Sequence, residues 1–421
     1  MFKGFALFFI SVIAFGDSSP ERVTLEAAKK YAIANNLQIK ALRHEMVERE
    51  AIASAVQSAF YPTVGLAGGP EHRSGSSAIQ SYFYANLNLF NGFTDSYRSQ
   101  IAGIEAEMSR IRLRQEEFSV GLDVEQQFHF YLLKKITLAQ RKKALELNRT
   151  HRQMAKQKQS SGMASISDVM EFDLRESLLQ SDVELLQQEL EESRIQFRKL
   201  LGEDVGSAIE PLGNLEHQHL VGNFAEHAKL IKDHSEKIRL ASRELAKANL
   251  ESRLWQSSWL PKLDLETQVG YLSLDDRPQD GSASAKASAV AKFDLFNGFR
   301  SQFERKEGEA KKLKAEAKLK TVIQDALTGA EVAFRRLMTI QARVDIEDKN
   351  DDRSEKYYAA VVSEYRRGVK NSADVKSAAE GMFEAKIRRE NFKYDFLKQR
   401  IDLERSLGTT IAVERVEDSA K

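Results

Sequence analysis

The chain has no cysteine. That excludes disulfide staples, thiol catalysis and cysteine-ligated zinc or iron–sulfur centres. Proline is scarce, with 6 in 421 residues, so little in the chain interrupts a helix. Charge of one sign is lacking as well. The 63 Lys and Arg are balanced by 62 Asp and Glu, which argues against a basic field for nucleic acid. No apolar run reaches the ~20 residues that a membrane-spanning helix needs. The phosphate loop Gly-x-x-x-x-Gly-Lys, His-Glu-x-x-His and Gly-x-Ser-x-Gly are all absent, so no enzyme is expected. His217-Gln218-His219 reads as a solvated loop, and no metal or cofactor site is expected.

What is present begins with an address. Met1-Phe2-Lys3 is basic, Gly4 to Phe15 is apolar, and Ala14-Phe15-Gly16 fits a small-x-small cleavage site. Residues 1–16 read as a secretory signal peptide, with a mature chain starting near Asp17. An exported chain without a helical anchor is either periplasmic or an outer-membrane β-barrel.

The chain then repeats itself. Leu89-Phe90-Asn91-Gly92-Phe93 recurs as Leu295-Phe296-Asn297-Gly298-Phe299, an offset of 206. The same offset relates Phe128 to Phe334, Gly162 to Gly368, Asp168-Val169 to Asp374-Val375 and Leu201-Gly202 to Leu407-Gly408. Tyr61-Pro62 matches Leu260-Pro261 at an offset of 199. A single change of offset between co-linear halves marks a loop of different length in a tandem duplication. Residues 17–202 form the first repeat, 203–222 a linker, 223–408 the second repeat and 409–421 a tail.

Both repeats have one grammar. A helix comes first, over Thr24 to Ser58 and Asn223 to Ser257. A β-hairpin follows, over 61–90 and 261–296. Leu263, Leu265, Thr267, Val269 and Tyr271 alternate with Lys262, Asp264, Glu266, Gln268 and Gly270, the period of a strand. Ala285 to Leu295 alternates in the same way with Lys286, Lys292 and Asp294. Turns are expected at Gly68-Gly69-Pro70 through Ser77 and at Asp275 through Ser282. A long helix comes next, over 94–160 and 301–367, about 100 Å at ~1.5 Å per residue. A tip, 161–168 or 368–374, leads into a return helix over 168–201 or 374–407. Gly162 and Gly368 suit the left-handed residue that ends a helix. Ser165 and Asn371 suit N-caps, with Asp168 and Asp374 completing capping boxes.

The two short helices of each repeat together match the long one, which predicts a rod with a hairpin at one end. Four strands with an apolar face cannot remain an open sheet without aggregating. Two chains would supply eight strands and a filled barrel; three would supply twelve and a channel. Phe60, Tyr61, Phe90, Phe93, Trp255, Trp259, Phe293, Phe296 and Phe299 gather at the strand ends, the pattern of an interfacial aromatic belt. An exported coiled-coil rod without a channel accounts for the helices and the repeat. It does not account for alternating hairpins placed after proline in both halves.

The duplicated plan, with Leu-Phe-Asn-Gly-Phe at both strand-to-helix junctions, resembles the TolC family of outer-membrane efflux proteins. The resemblance covers nearly all of the chain beyond the signal segment. It implies a mainly α fold with a small β part: a homotrimer whose 12-stranded outer-membrane barrel continues into a periplasmic α-helical barrel. It implies an exit duct for efflux or type I secretion, with a periplasmic membrane-fusion adaptor and an inner-membrane pump of the RND, ABC or MFS type. It implies contact with outer-membrane lipid and none with nucleic acid. Lys262, Asp264, Glu266, Lys286, Lys292 and Asp294 would line the barrel lumen. Gly162, Ser165, Asp168, Gly368, Asn371 and Asp374 would form adaptor-docking tips. Asp374, Tyr365 and Lys370 would belong to the gate. Some members carry a further Asp where this chain has Ser377, so an acidic ring would be weaker here. The short linker and tail imply a reduced equatorial girdle.

Overall fold

The computed structural model describes residues 21–73, 76–202, 209–216, 218–220, 222–274, 282–293, 295–411 and 413–415. The signal segment 1–16 and Asp294 lie outside them, as do residues 203–208 of the linker and 416–421 of the tail. The first repeat runs β1 (Glu21–Val23), α1 (Leu25–Asn35), α2 (Leu37–Gln57), β2 (Thr63–Arg73), β3 (Ser76–Asn91), α3 (Thr94–Ser160) and α4 (Ile166–Leu201). Two short strands follow, β4 (Ile209–Pro211) and β5 (Gln218–Leu220). The second repeat runs α5 (Phe224–His234), α6 (Glu236–Gln256), β6 (Lys262–Leu274), β7 (Ser282–Lys292), α7 (Arg300–Arg366) and α8 (Ser372–Leu407), followed by β8 (Val413–Arg415). Among the described residues no helix is long and apolar enough to cross a membrane.

The stretch read as one helix over 24–58 is two. Asn36 leaves helical geometry at ψ 125°, and its side chain accepts hydrogen bonds from the Gln38 and Ile39 amides. An asparagine that caps the following helix competes with helix continuation. Ser235 marks the same break in the second repeat, at ψ 107°. The expected turn at Gly68-Gly69-Pro70 is strand instead, paired with Ser81, Gln80 and Ile79. The reason is position: β2 is an edge strand, where a proline without an N–H removes no ladder bond.

The helices pack side by side in two stacked layers. Near the sheet the order is α2, α3, α6, α7; away from it the order is α4, α3, α8, α7. The long helices α3 and α7 run through both layers. The main apolar core lies where the layers meet, around Phe128, Phe197, Leu201, Leu337, Phe396 and Leu407. Two small sheets close this level, β1 with β4 in parallel and β5 with β8 antiparallel. Through them Ile209–Pro211 and Gln218–Leu220 of the linker and Val413–Arg415 of the tail lie at the level of the core.

Candidate functional site

The first candidate site is the four-stranded antiparallel sheet, in the order β2, β3, β6, β7. Its register sorts residue types by face. Lys262 lies opposite Lys292, Asp264 opposite Val290, Glu266 opposite Ser288 and Gln268 opposite Lys286. Asn86 and Asn88 on β3 join the same face opposite Glu266 and Asp264. Lys262, Asp264, Glu266, Lys286 and Lys292 therefore share one polar face, and Lys292 pairs with Asp264 at 3.4 Å.

The opposite face is apolar. Leu263, Leu265, Thr267 and Val269 run along β6, with Ala291, Ala289, Ala287 and Ala285 beside them on β7 and Leu87, Ala85 and Phe83 on β3. Val64, Leu66, Phe83 and Val269 are 69%, 67%, 65% and 59% exposed. Uncovered apolar surface of this kind marks a contact with lipid or another chain. Among the described residues β2 and β7 each pair on one side only.

The Leu-Phe-Asn-Gly-Phe motifs build the junctions below the sheet. Gly92 and Phe93 both have positive φ, 67° and 65°, and Gly298 and Phe299 repeat this at 66° and 65°. A left-handed phenylalanine is strained. Each is buttressed edge-to-face by the preceding phenylalanine, Phe90 on Phe93 at 5.2 Å and Phe296 on Phe299 at 5.4 Å. Asn91 then accepts the Asp95 amide and starts α3. The motif is thus a geometric device that turns a strand sharply into a long helix. Phe60, Tyr61, Phe93, Trp259, Phe293, Phe296 and Phe299 are all exposed around it.

The second candidate site is the pair of helical tips. Gly162 and Gly368 are left-handed, with φ 71° and 78°. Ser165 and Asn371 cap α4 and α8, each with the aspartate three residues on closing a capping box. The two tips differ beyond this. Asp168 also accepts a hydrogen bond from the buried Ser372 of the other tip. That bond and the Ser165 amide hold its carboxyl below the usual carboxylate range. Asp374 is half-exposed, and Lys370 approaches it at 3.9 Å. Tyr365 is buried, and its hydroxyl has no hydrogen-bond partner among the described residues. Burial and the nearby Asp168 charge raise its pKa.

The structure adds residues that motif reading missed. Lys158 lies over the Tyr365 ring at 3.6 Å and donates to the Tyr365 carbonyl at 2.5 Å. Lys376 reaches Glu171 at 2.7 Å, Arg175 reaches Glu380 at 2.9 Å, and His151 meets the Tyr358 hydroxyl at 2.8 Å. Burial lowers the His151 pKa, and the Arg366 charge adds to it. These pairs are 204 to 207 residues apart in Asp168–Ser372, Lys376–Glu171, Lys158–Tyr365 and His151–Tyr358. Near repeat-mates therefore face each other, and the offset of 206 was the one signal that could have pointed to them. Among the described residues no group of His, Asp and Glu could hold a metal ion.

Comparison with known proteins agrees with this geometry. The sequence model described as outer membrane efflux protein matches residues 30–203 and 228–409. The fold is similar to the outer-membrane channel OprN, with a TM-score of 0.79 at 17% identity, covering 91% of this chain and 89% of that one. It is similar to the outer membrane protein VceC of Vibrio cholerae, with a TM-score of 0.80 at 14% identity, covering 92% and 96%. The open-state MtrE outer membrane channel of Neisseria gonorrhoeae gives 0.78 at 14% identity, covering 91% and 89%. No curated protein matches the chain in sequence.

Proposed function

Because this chain belongs to the outer membrane efflux protein family, we propose that it forms a homotrimeric exit duct for efflux or type I secretion. Its four strands supply a third of a 12-stranded outer-membrane barrel, and its helices extend the duct into the periplasm. A periplasmic adaptor docks on the tips at Gly162, Ser165, Asp168, Gly368, Asn371 and Asp374. An inner-membrane pump supplies the energy, and the duct performs no reaction of its own. Lys262, Asp264, Glu266, Lys286 and Lys292 face the water-filled lumen. Asp374, with Tyr365 and Lys370 nearby, belongs to the gate, where three copies form one narrow ring of charge.

One observation carries this reading. Among the described helical residues, large exposed apolar side chains lie on α1, α2, α4 and α7 and not on α3, α5, α6 or α8. α2, α4 and α7 are the outermost helices of the two layers. Their apolar residues also match in height. Counted from the tip at ~1.5 Å per residue, Leu174 of α4 and Tyr357 of α7 both lie about 13 Å up. Leu185 and Ile346 lie about 29 Å up, and Ile195 and Met338 about 43 Å up. An α4 edge laid against the α7 edge of the next copy closes a ring, and the same operation pairs β2 with β7 of the neighbour.

A cysteine-free chain makes the test clean. Leu174→Cys with Tyr357→Cys, oxidised in the membrane, is expected to give dimer and trimer bands. The mismatched pair Leu174→Cys with Ile346→Cys is expected to give none. A protein that stays a single chain in detergent and under cross-linking would overturn the proposal.

A further inference from the structure

The polar face of the sheet carries mostly hydrated groups, Asn86, Asn88, Glu266, Gln268 and the lysines, and two aromatic rings interrupt them. Tyr82 and Tyr84 stand two residues apart on β3 and on that same face. Tyr84 lies opposite Gly65 on one side and Gln268 on the other. Gly65 is not free to carry a side chain: a Cβ there would collide with Cζ and Oη of Tyr84. The outer half of the phenol therefore lies across the glycine instead of standing off the wall. A ring laid down in this way covers the bare backbone with one face, which supports a glycine in a strand. Tyr84 is half-exposed, so part of the phenol remains accessible on the polar face. Tyr82, also half-exposed, lies opposite Ala67 and Gly270, and a Cβ at Gly270 would collide with the Tyr82 Cβ, so the two strands approach closely there.

We propose that Tyr84, with Tyr82 beside it, is a stacking platform for planar aromatic molecules on the inner wall of the barrel. The inference rests on the reading of the polar face as the lumen. The chemistry of the wall selects the ligand class. Aromatic faces gain from offset stacking on other rings and from cations above them. The neighbour of Tyr84 in its row is the neutral Gln268, and Lys286 lies one strand further away. Asp264 is engaged by Lys292. A flat ring therefore meets a phenol and an amide at this level, with no charge directly beside the phenol. Threefold symmetry would repeat the platform around one cross-section of the duct, so aromatic cargo would dwell there while aliphatic ions pass.

Single-channel recording of the full-length protein in planar bilayers tests this with two probes of equal charge, ethidium and tetraethylammonium. Wild type is expected to show current block by ethidium and little by tetraethylammonium. Tyr84→Leu keeps the glycine covered but removes the π-face, and is expected to weaken ethidium block about fivefold. Tyr84→Phe keeps the face and is expected to stay within about twofold. If Tyr84→Leu does not insert, Tyr82→Leu is measured and is expected to weaken block in the same direction. Ethidium block that is the same in wild type and in the leucine variant overturns the platform and leaves the duct standing. Loss of block in Tyr84→Phe equal to that in Tyr84→Leu also overturns it, because a hydroxyl and not a ring would then be responsible. A wild-type protein that conducts nothing overturns the duct reading and this inference with it.

Discussion

Helices α3 and α7 occupy the same place in the two repeats, contain 67 residues each and start from the same left-handed phenylalanine. Yet 21 residues of α3 are buried against 9 of α7. The difference is one of neighbours. α3 has helices on both sides in both layers, whereas α7 packs on α6 and α8 and leaves its other side open. Repeat-mates consequently meet different environments. Glu125 of α3 is buried and binds Lys29 and Arg400, with His129 3.7 Å away. Its mate Glu331 of α7 sits on the surface with Arg335. One pair at the tip reverses the order: Tyr365 of α7 is buried, while its mate Gln159 of α3 is only half-buried. Duplication copies local rules, and place in the layer decides what each copy is for.

The comparison can be broken most directly at the glutamates. Glu125→Gln strands two largely buried cations and should cost about 3–5 kcal/mol in urea unfolding. Glu331→Gln should stay within about 0.5 kcal/mol, as exposed pairs do. Equal losses would mean that α3 is not the central helix. The same pair should differ in acid. Burial alone would raise the Glu125 carboxyl, but the His129 contact and the Arg400 and Lys29 charges hold it down at about 2. A depressed folded pKa contributes stability above the ordinary value of about 4.5 and loses it as pH falls toward about 2. Melting temperature against pH should show that acid limb in wild type and in Glu331→Gln, and a smaller one in Glu125→Gln.

The open side of α7 offers the next test. Ile346→Asp puts a charge on an exposed apolar position, and should shift trimer toward monomer in detergent with unchanged helix content by circular dichroism. Its repeat-mate Gln140→Asp on α3 should leave the trimer intact. The smallest effect is expected at the tips. At the third helical position an Asn oxygen can still accept the N-cap amide and close the capping box, so Asp374→Asn should change stability by less than about 0.5 kcal/mol. Asp168→Asn also weakens the bond from Ser372 and should lose about 1 kcal/mol. Identical values would leave both aspartates as capping-box residues alone.

Much of the local structure was legible. The period-two alternation of Leu263 to Tyr271 sorted one strand's residues onto two faces because side chains on a strand must alternate. Gly162 and Gly368 announced helix ends, and Ser165 with Asp168 and Asn371 with Asp374 announced helix starts, because these depend on hydrogen bonds within four residues. The break at Asn36 was missed since a capping asparagine and a helical one look alike in sequence. Gly68-Gly69-Pro70 was misread because its chemistry is that of a turn in isolation, and only an edge position makes it a strand.

The sequence by itself determined the repeat, the elements, their approximate ends and the sorting of polar from apolar strand positions, since each follows from contacts between residues close along the chain. Tertiary structure alone decided that α3 is central and α7 lies at an edge, that Glu125 is a buried hub while Glu331 is not, and that Asp168 rather than Asp374 reaches across to the other tip. Those outcomes depend on which helices become neighbours. That choice is settled by burying apolar surface between segments far apart in the chain, as Phe128, Leu337 and Phe396 do in one core, where no local pattern carries the information.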